Sequence, residues 1–194
     1  MFKHYIFGNG GFAREVQFIL FRNGIQKENI IFIDEQQEDK FLQTTNKGQC
    51  YIAVGSPVVR EKIYNKLRHK QYEFPNLFDK DSVFHNNLNT IGFGNIFCAG
   101  SVVTVDCKIG NFNNFNLLTT VGHDAEIHNF CTFSPGVKIS GNSKIKNNCF
   151  FGTNSCTIEG TFVNNDITIG AGAVVVKDLK EKGTYVGVPC KKIN

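Results

Sequence analysis

His123 is followed directly by Asp124, with Glu126 two residues further on. A histidine supported by a carboxylate suits general-base work near neutral pH, because the carboxylate stabilises the imidazolium formed when a proton is taken. His128 is the rival for that role, and in isolation either histidine is more often a surface residue than a base. His4 and His69 have no partner evident from the sequence, and His85 reads as structural. A second chemistry is offered by Gly8-Asn9-Gly10-Gly11-Phe12-Ala13, which fits G-x-G-x-x-A. After a strand and before a helix, such a turn aims backbone N–H groups at a phosphate or another anion. A tight turn with no ligand is the plainer reading of the same residues. The third option is a cysteine nucleophile. Seven cysteines (50, 98, 107, 131, 149, 156 and 190) are scattered, odd in number and without a CxxC pair. That pattern argues against a disulfide framework or zinc site and for a reducing, cytoplasmic compartment.

The elements that position these residues follow from a period of six. Stepping from Ile91 to Val175 by sixes meets a large apolar residue everywhere except Thr157. Two positions before each anchor stands a mostly small residue, Asn95, Ser101 and Cys107 opening the series and Ala173 closing it. Two apart means the same face of a strand. Short strands repeating every six residues specify a triangular parallel β-helix, about 18 residues to a coil and about 4.8 Å from one coil to the next. Glycine and asparagine at the corners (Gly92, Gly110, Gly122, Asn129, Gly152, Gly170) are expected to supply positive φ. Cys107, Cys131 and Cys149 fall on small-residue positions and read as packing. His123 sits just past the anchor Val121, at a coil surface or corner.

The preceding residues read differently. Tyr5-Ile6-Phe7, within an apolar start from Met1-Phe2, is a first strand. A helix follows through Arg14–Arg22, stopped by Asn23-Gly24. Ile30–Ile33 is a second strand ending at Asp34-Glu35, and Tyr51–Val54 a third. Ser56 caps a second helix, Pro57 opens it, and Val59, Ile63 and Leu67 form its apolar face. Phe74 to Phe78 reads as a last strand. The result is a small doubly wound α/β (Rossmann-like) unit over residues 1–80, then a β-helix over 81–194. Asp34 lies about twenty residues past the glycine turn, where a ribose-binding acid is expected. The unit is under half of a full dinucleotide fold, which favours a nucleotide-linked sugar over NAD.

Composition narrows the class. With 41% hydrophobic and 20% charged residues, the chain is ordinary for a soluble globular protein. No apolar run approaches the roughly 20 residues of a membrane span, and the start is too short for a signal-peptide core. A net charge of +4 without a basic block gives no case for nucleic acid.

Taken together, the glycine turn, Asp34-Glu35, Asn116–Asp124, Phe133-Ser134-Pro135-Gly136 and Val186-Gly187-Val188-Pro189 make the chain resemble the bacterial hexapeptide-repeat sugar acetyltransferases. That group includes nucleotide-linked 4-amino-sugar N-acetyltransferases and sialic-acid O-acetyltransferases. The resemblance covers essentially the whole chain. It implies a left-handed β-helix, a homotrimer with active sites between neighbouring β-helices, acetyl-CoA as co-substrate, and no metal. It implies His123 as general base with Asp124 as its supporting acid. Substrate-side positions are Gly10, Gly11, Phe12, Asp34, Glu35, Gly55 and Asn116. Gly141, Thr132, Thr153 and Ala171 match the acetyl-CoA side, with the Gly141 N–H facing the thioester carbonyl. Some members carry histidine where this chain has Phe12 and Thr132. The implied reaction is direct attack of a C4 amine of a nucleotide-linked 4-amino-4,6-dideoxy sugar on the thioester. Competing readings are O-acetylation of sialic acid or a related nonulosonic acid, a non-catalytic nucleotide-sugar-binding β-helix, and, distantly, a short oxidoreductase.

Overall fold

The computed structural model describes residues 3–43 and 47–194; Met1 and Phe2 of the expected first strand lie outside the described residues. Four parallel strands, β1 (His4–Phe7), β2 (Ile30–Ile33), β3 (Gly48–Ile52) and β4 (Tyr72–Glu73), form a sheet in the order β2-β1-β3-β4. Helix α1 (Gly11–Arg22) buries Ala13, Val16, Ile19 and Leu20, the spacing of one helical face. Asn23 caps its C-terminus, and Gly24 follows in the left-handed region at φ +86°. A second helix, α2 (Glu35–Leu42), occupies residues where the sequence suggested only a strand end. Its cause is local: Asp34 accepts from Gln37 N at 2.9 Å while Gln37 Oε1 accepts from Asp34 N, a capping box. Helix α3 (Pro57–Leu67) starts as expected, with Ser56 as N-cap. Its buried face differs, because Val59 is 44% exposed and Arg60 points inward at 0%.

From Leu77 onward the chain winds as a triangular prism. Of the stretch read as one strand from Phe74 to Phe78, only β5 (Leu77–Phe78) is a strand, and it pairs with Ile96–Phe97 of the prism instead of joining the first sheet. The first face stacks β5 with strands such as Asn114–Phe115, Thr132–Phe133 and Phe150–Phe151. The second stacks Val102–Val103, Thr120–Val121, Lys138–Ile139, Cys156–Thr157 and Val174–Val175. The third stacks Thr90–Ile91, Lys108–Ile109, Glu126–Ile127, Lys144–Ile145 and Phe162–Val163. Within each strand the anchor residue points to the axis. Phe78, Phe97, Phe115, Phe133 and Phe151 stack there with ring centroids 4.5–5.3 Å apart.

The corners correct one expectation. Left-handed φ recurs every six residues from Gly94 to Gly172, but it falls on residues such as Asp106, Phe112, Leu118, Asp124 and Phe130, not on the glycines singled out. Those glycines serve close approach: a Cβ on Gly122 would lie 2.6 Å from the Gly141 nitrogen in the next coil. Phe112 and Phe130 hold a conformation unfavourable for bulky residues. Both rings leave the prism and join the buried cluster of Tyr5, Phe7 and Ile63 in the α/β unit, which offsets the strain.

Arg60 completes that joint. Its guanidinium donates to the carbonyls of Phe112, Phe130 and Cys131 in the prism and of Val54 in the α/β unit, at 2.6–3.0 Å. It also donates to Thr132 Oγ1 at 3.0 Å. Burial pulls its pKa down to about 9, still charged at neutral pH. At the other end of the interface Arg22 of α1 pairs with Asp79 at 3.0 Å and Asp81 at 2.7 Å.

Candidate active site

His123 and Asp124 stand at the corner joining the second and third faces. The strand Thr120–Val121 ends, Gly122 passes close under the next coil, and the left-handed φ of Asp124 (59°) turns the chain toward Glu126–Ile127. That turn puts Asp124 Oδ2 2.8 Å from His123 Nδ1. Both side chains are 53% exposed. Asp124, through its hydrogen bond and then its charge, raises the imidazole pKa above the ordinary 6.5, against a smaller opposing effect of burial; Glu159 adds a lesser push. With Nδ1 engaged, Nε2 is the nitrogen left to take a proton. The ring leans over the next coil: a Cβ on Gly141 would lie 2.6 Å from Cε1 and 2.7 Å from Nε2. Gly141 is therefore the only residue type that lets the imidazole lie there unshifted.

His128 sits at a different corner, between the third and first faces. Lys146 Nζ is 3.1 Å from its Nε2. Burial, and then the lysine charge, lower its pKa. Glu126 is also committed elsewhere, to Lys108 at 3.2 Å, and that partner lowers its carboxyl pKa. A cavity of about 620 Å³ opens beside the His123 corner on the third face, bordered by Asp106, Lys108, Asp124, Asn142 and Lys144.

The other expected residues are not all brought together. Asn116, Thr153 and Ala171 lie along the edge joining the first and second faces, the opposite edge of the second face from His123 and Gly141. Within one chain, the expected catalytic and cofactor residues thus occupy two edges of the prism. In the α/β unit, a cleft of about 600 Å³ opens at the carboxyl ends of β1, β2 and β3. Gly8, Asn9, Asp34 and Glu35 line it. Gly10 and Gly11 instead begin α1, and Phe12 packs against the core under that helix. Gly55 lies in a separate groove of about 660 Å³ between the start of α3 and Phe150 and Thr168 of the first face. Thr132 is 6% exposed, and its hydroxyl donates to the Gly55 carbonyl at 2.7 Å. It serves the joint between the two parts of the chain rather than an open cofactor surface.

Sequence reasoning missed Glu38 and Lys66, paired at 2.7 Å and bordering the α/β cleft. The Asp34-x-x-Gln37 capping box was the signal that would have revealed the helix carrying Glu38. The cysteines at core positions are inert packing groups. Cys107, Cys131 and Cys149 are at most 1% exposed, and their thiols donate to carbonyls of the next coil at 3.0–3.1 Å. Burial pushes the Cys107 thiol pKa up. Among the described residues no cluster of three His, Cys, Asp or Glu is placed to hold a metal, and no helix is long and apolar enough to cross a membrane.

Residues 3–67 match the family model described as the PglD N-terminal domain. The acetyltransferase domain of PglB from Neisseria gonorrhoeae FA1090 superposes with a TM-score of 0.91 at 26% identity, covering 98% of this chain and 99% of that one. That domain is also known in complex with acetyl coenzyme A. WeeI from Acinetobacter baumannii AYE matches with a TM-score of 0.89 at 25% identity over 100% of both chains. PerB from Caulobacter crescentus, in complex with CoA and GDP-perosamine, gives 0.90 at 24% identity over 99% and 97% of the two chains, a likeness of fold. The prism is accordingly the left-handed β-helix of these acetyltransferases.

Proposed function

We propose that this chain is a hexapeptide-repeat sugar acetyltransferase, an acyltransferase that moves an acetyl group from acetyl-CoA to the C4 amine of a nucleotide-linked 4-amino-4,6-dideoxy sugar. The observation that carries this reading is the His123–Asp124 pair, open to solvent and leaning over a glycine. Asp124 fixes the ring with its Nδ1 proton inward, and Nε2 accepts the proton of the attacking amine. The Gly141 N–H steadies the oxyanion, and coenzyme A leaves, taking the proton from the imidazolium. No covalent enzyme intermediate is needed. Thr153 and Ala171 contact acetyl-CoA from the other edge, and Asn116 faces the substrate. Because those residues and His123 lie on opposite edges of one face, the site is completed by a second copy, in keeping with a homotrimer. The α/β cleft, with Asp34 and Glu35, holds the nucleotide. Seven free cysteines, six of them buried, suit a cytoplasmic enzyme of glycan biosynthesis.

The test is acetyl-CoA turnover against matched nucleotide-sugars bearing an amine or a hydroxyl at C4, with free and nucleotide-linked sialic acid alongside. A base-stable amide formed only on the amine supports the reading. An ester formed on sialic acid, with no turnover of any amino sugar, overturns it in favour of O-acetylation.

A further inference from the structure

Each coil advances 18 residues, as Asn111 to Asn129 shows, so His123, Gly141 and Glu159 occupy one corner in three successive coils. Backbone contacts hold the column together: Asn142 N donates to the His123 carbonyl at 2.8 Å, and Gly160 N to that of Gly141 at 2.9 Å. The middle position has no side chain, and the imidazole occupies the space one would fill. Nothing but backbone therefore separates the His123 ring from the coil that carries Glu159. Asn142 links the two, its N–H on the His123 carbonyl and its side-chain Nδ2 on Glu159 Oε1 at 3.1 Å. Asp124 occupies Nδ1 from the first coil. The Nε2 edge of the ring lies over Gly141, and Glu159 stands one coil beyond it. Of the other carboxylates near this corner, Glu126 is taken by Lys108, and Asp106 stands one coil before Asp124, on the side away from Gly141.

We propose that Glu159, held by Asn142, is the counter-ion that binds the acceptor amine as its ammonium beside Nε2 of His123, and so determines the choice of nitrogen over oxygen. The inference rests on His123 being the base. The bound ammonium loses one proton to solvent. The freed lone pair forms the N–C bond to the thioester carbonyl, and the second proton passes to His123 Nε2. Collapse breaks the C–S bond, and the departing thiolate takes that proton. A neutral hydroxyl acceptor gains a single hydrogen bond from Glu159, whereas an ammonium gains the attraction of opposite charges as well.

The decisive variant is Glu159→Gln, which keeps shape and an acceptor for Asn142 but removes the charge. KM for the amino sugar should rise about tenfold, a usual worth for a hydrogen bond to a charged group. KM for acetyl-CoA should stay put, KM for the hydroxyl analogue should rise much less, and Glu159→Asp should recover part of the loss. By NMR, the His123 titration of the unliganded variant should move to lower pH. An equal effect on amine and hydroxyl acceptors, or a rise in the acetyl-CoA KM instead, overturns the proposal. His123→Ala in parallel separates the two failures. If it is inactive while Glu159→Gln shows no amine-specific change, only the role of Glu159 falls; if it is fully active, the base assignment falls first.

Discussion

Two edges of the same prism carry a histidine each, and the repeat treats them in opposite ways. At the edge between the second and third faces, Gly122 lets the next coil approach and Gly141 leaves the imidazole of His123 room to lie across it, beside a carboxylate. At the edge between the third and first faces, Asn111, Asn129, Asn147 and Asn165 form a ladder of side-chain amides closed at 3.0–3.2 Å. Arg60, Phe112 and Phe130 then seal that edge against the α/β unit. His128 lies here with a lysine as neighbour. One scaffold thus produces an open, electronegative histidine and a half-covered one whose proton is disfavoured. Periodicity supplies the scaffold, and the corner residues decide the chemistry.

The comparison is broken most directly at the open edge. His123→Ala should lower kcat by about two to four orders of magnitude, the usual contribution of a general base. Steady-state turnover with unchanged thermal stability checks it, and full activity would end the distinction between the edges. At the sealed edge the expected effect is on folding. Arg60→Met removes a buried guanidinium and strands the carbonyls of Phe112 and Phe130, costing about 3–5 kcal/mol in urea unfolding. Arg60→Lys should recover little, because one ammonium cannot serve acceptors on both sides of the joint. A change under about 1 kcal/mol in Arg60→Met would show that the apolar contacts of Phe112 and Phe130 suffice.

Asp124→Asn sharpens the electrostatic half of the contrast. Asp124 is the main reason the His123 pKa stands above 6.5. A base works when neutral, so the acid limb of the wild-type pH–rate profile lies above that value. With asparagine it should move to lower pH. The plateau should fall about tenfold as the ring loses its carboxylate partner, a smaller loss than deletion of the base. An unshifted limb would mean that some other group governs it.

Much of this was legible because the prism repeats. Anchors six apart name the axis-facing residues, and steps of 18 name the columns, so the alignment of His123, Gly141 and Glu159 was already present as arithmetic. Apart from helix α2, whose capping box is a local signal, the misreadings share one cause: a single position was asked to reveal its tertiary partner. Thr132 looks like any outward strand residue until α3 delivers Arg60 beside it. Phe112 and Phe130 occupy corner positions where asparagine, aspartate or glycine is expected, and only the neighbouring core explains their backbone. Nor does sequence order show that Asn116 and His123, seven residues apart, stand on opposite edges of a face.

The smallest effect belongs to His128→Ala. Because Nε2 faces Lys146 and the ring lies at the sealed edge, kcat and both KM values should stay within about twofold of wild type, a surface-like response. Its signature is in stability against pH. Burial and the Lys146 charge hold the folded-state pKa of His128 below the ordinary 6.5. As pH falls below 6.5, the unfolded chain therefore takes up this proton more readily than the folded one. Folding stability drops through the window from 6.5 down to the lower folded value. Alanine deletes that titration, so the loss of Tm between pH 7.5 and 5.5 should be smaller in the variant. It should not vanish, because burial also lowers the pKa of His4, which keeps its share of the slope. Calorimetric scans at the two pH values decide the point. An identical Tm difference in variant and wild type would mean that His128 titrates alike in both states, and that the covered edge does not disfavour its proton.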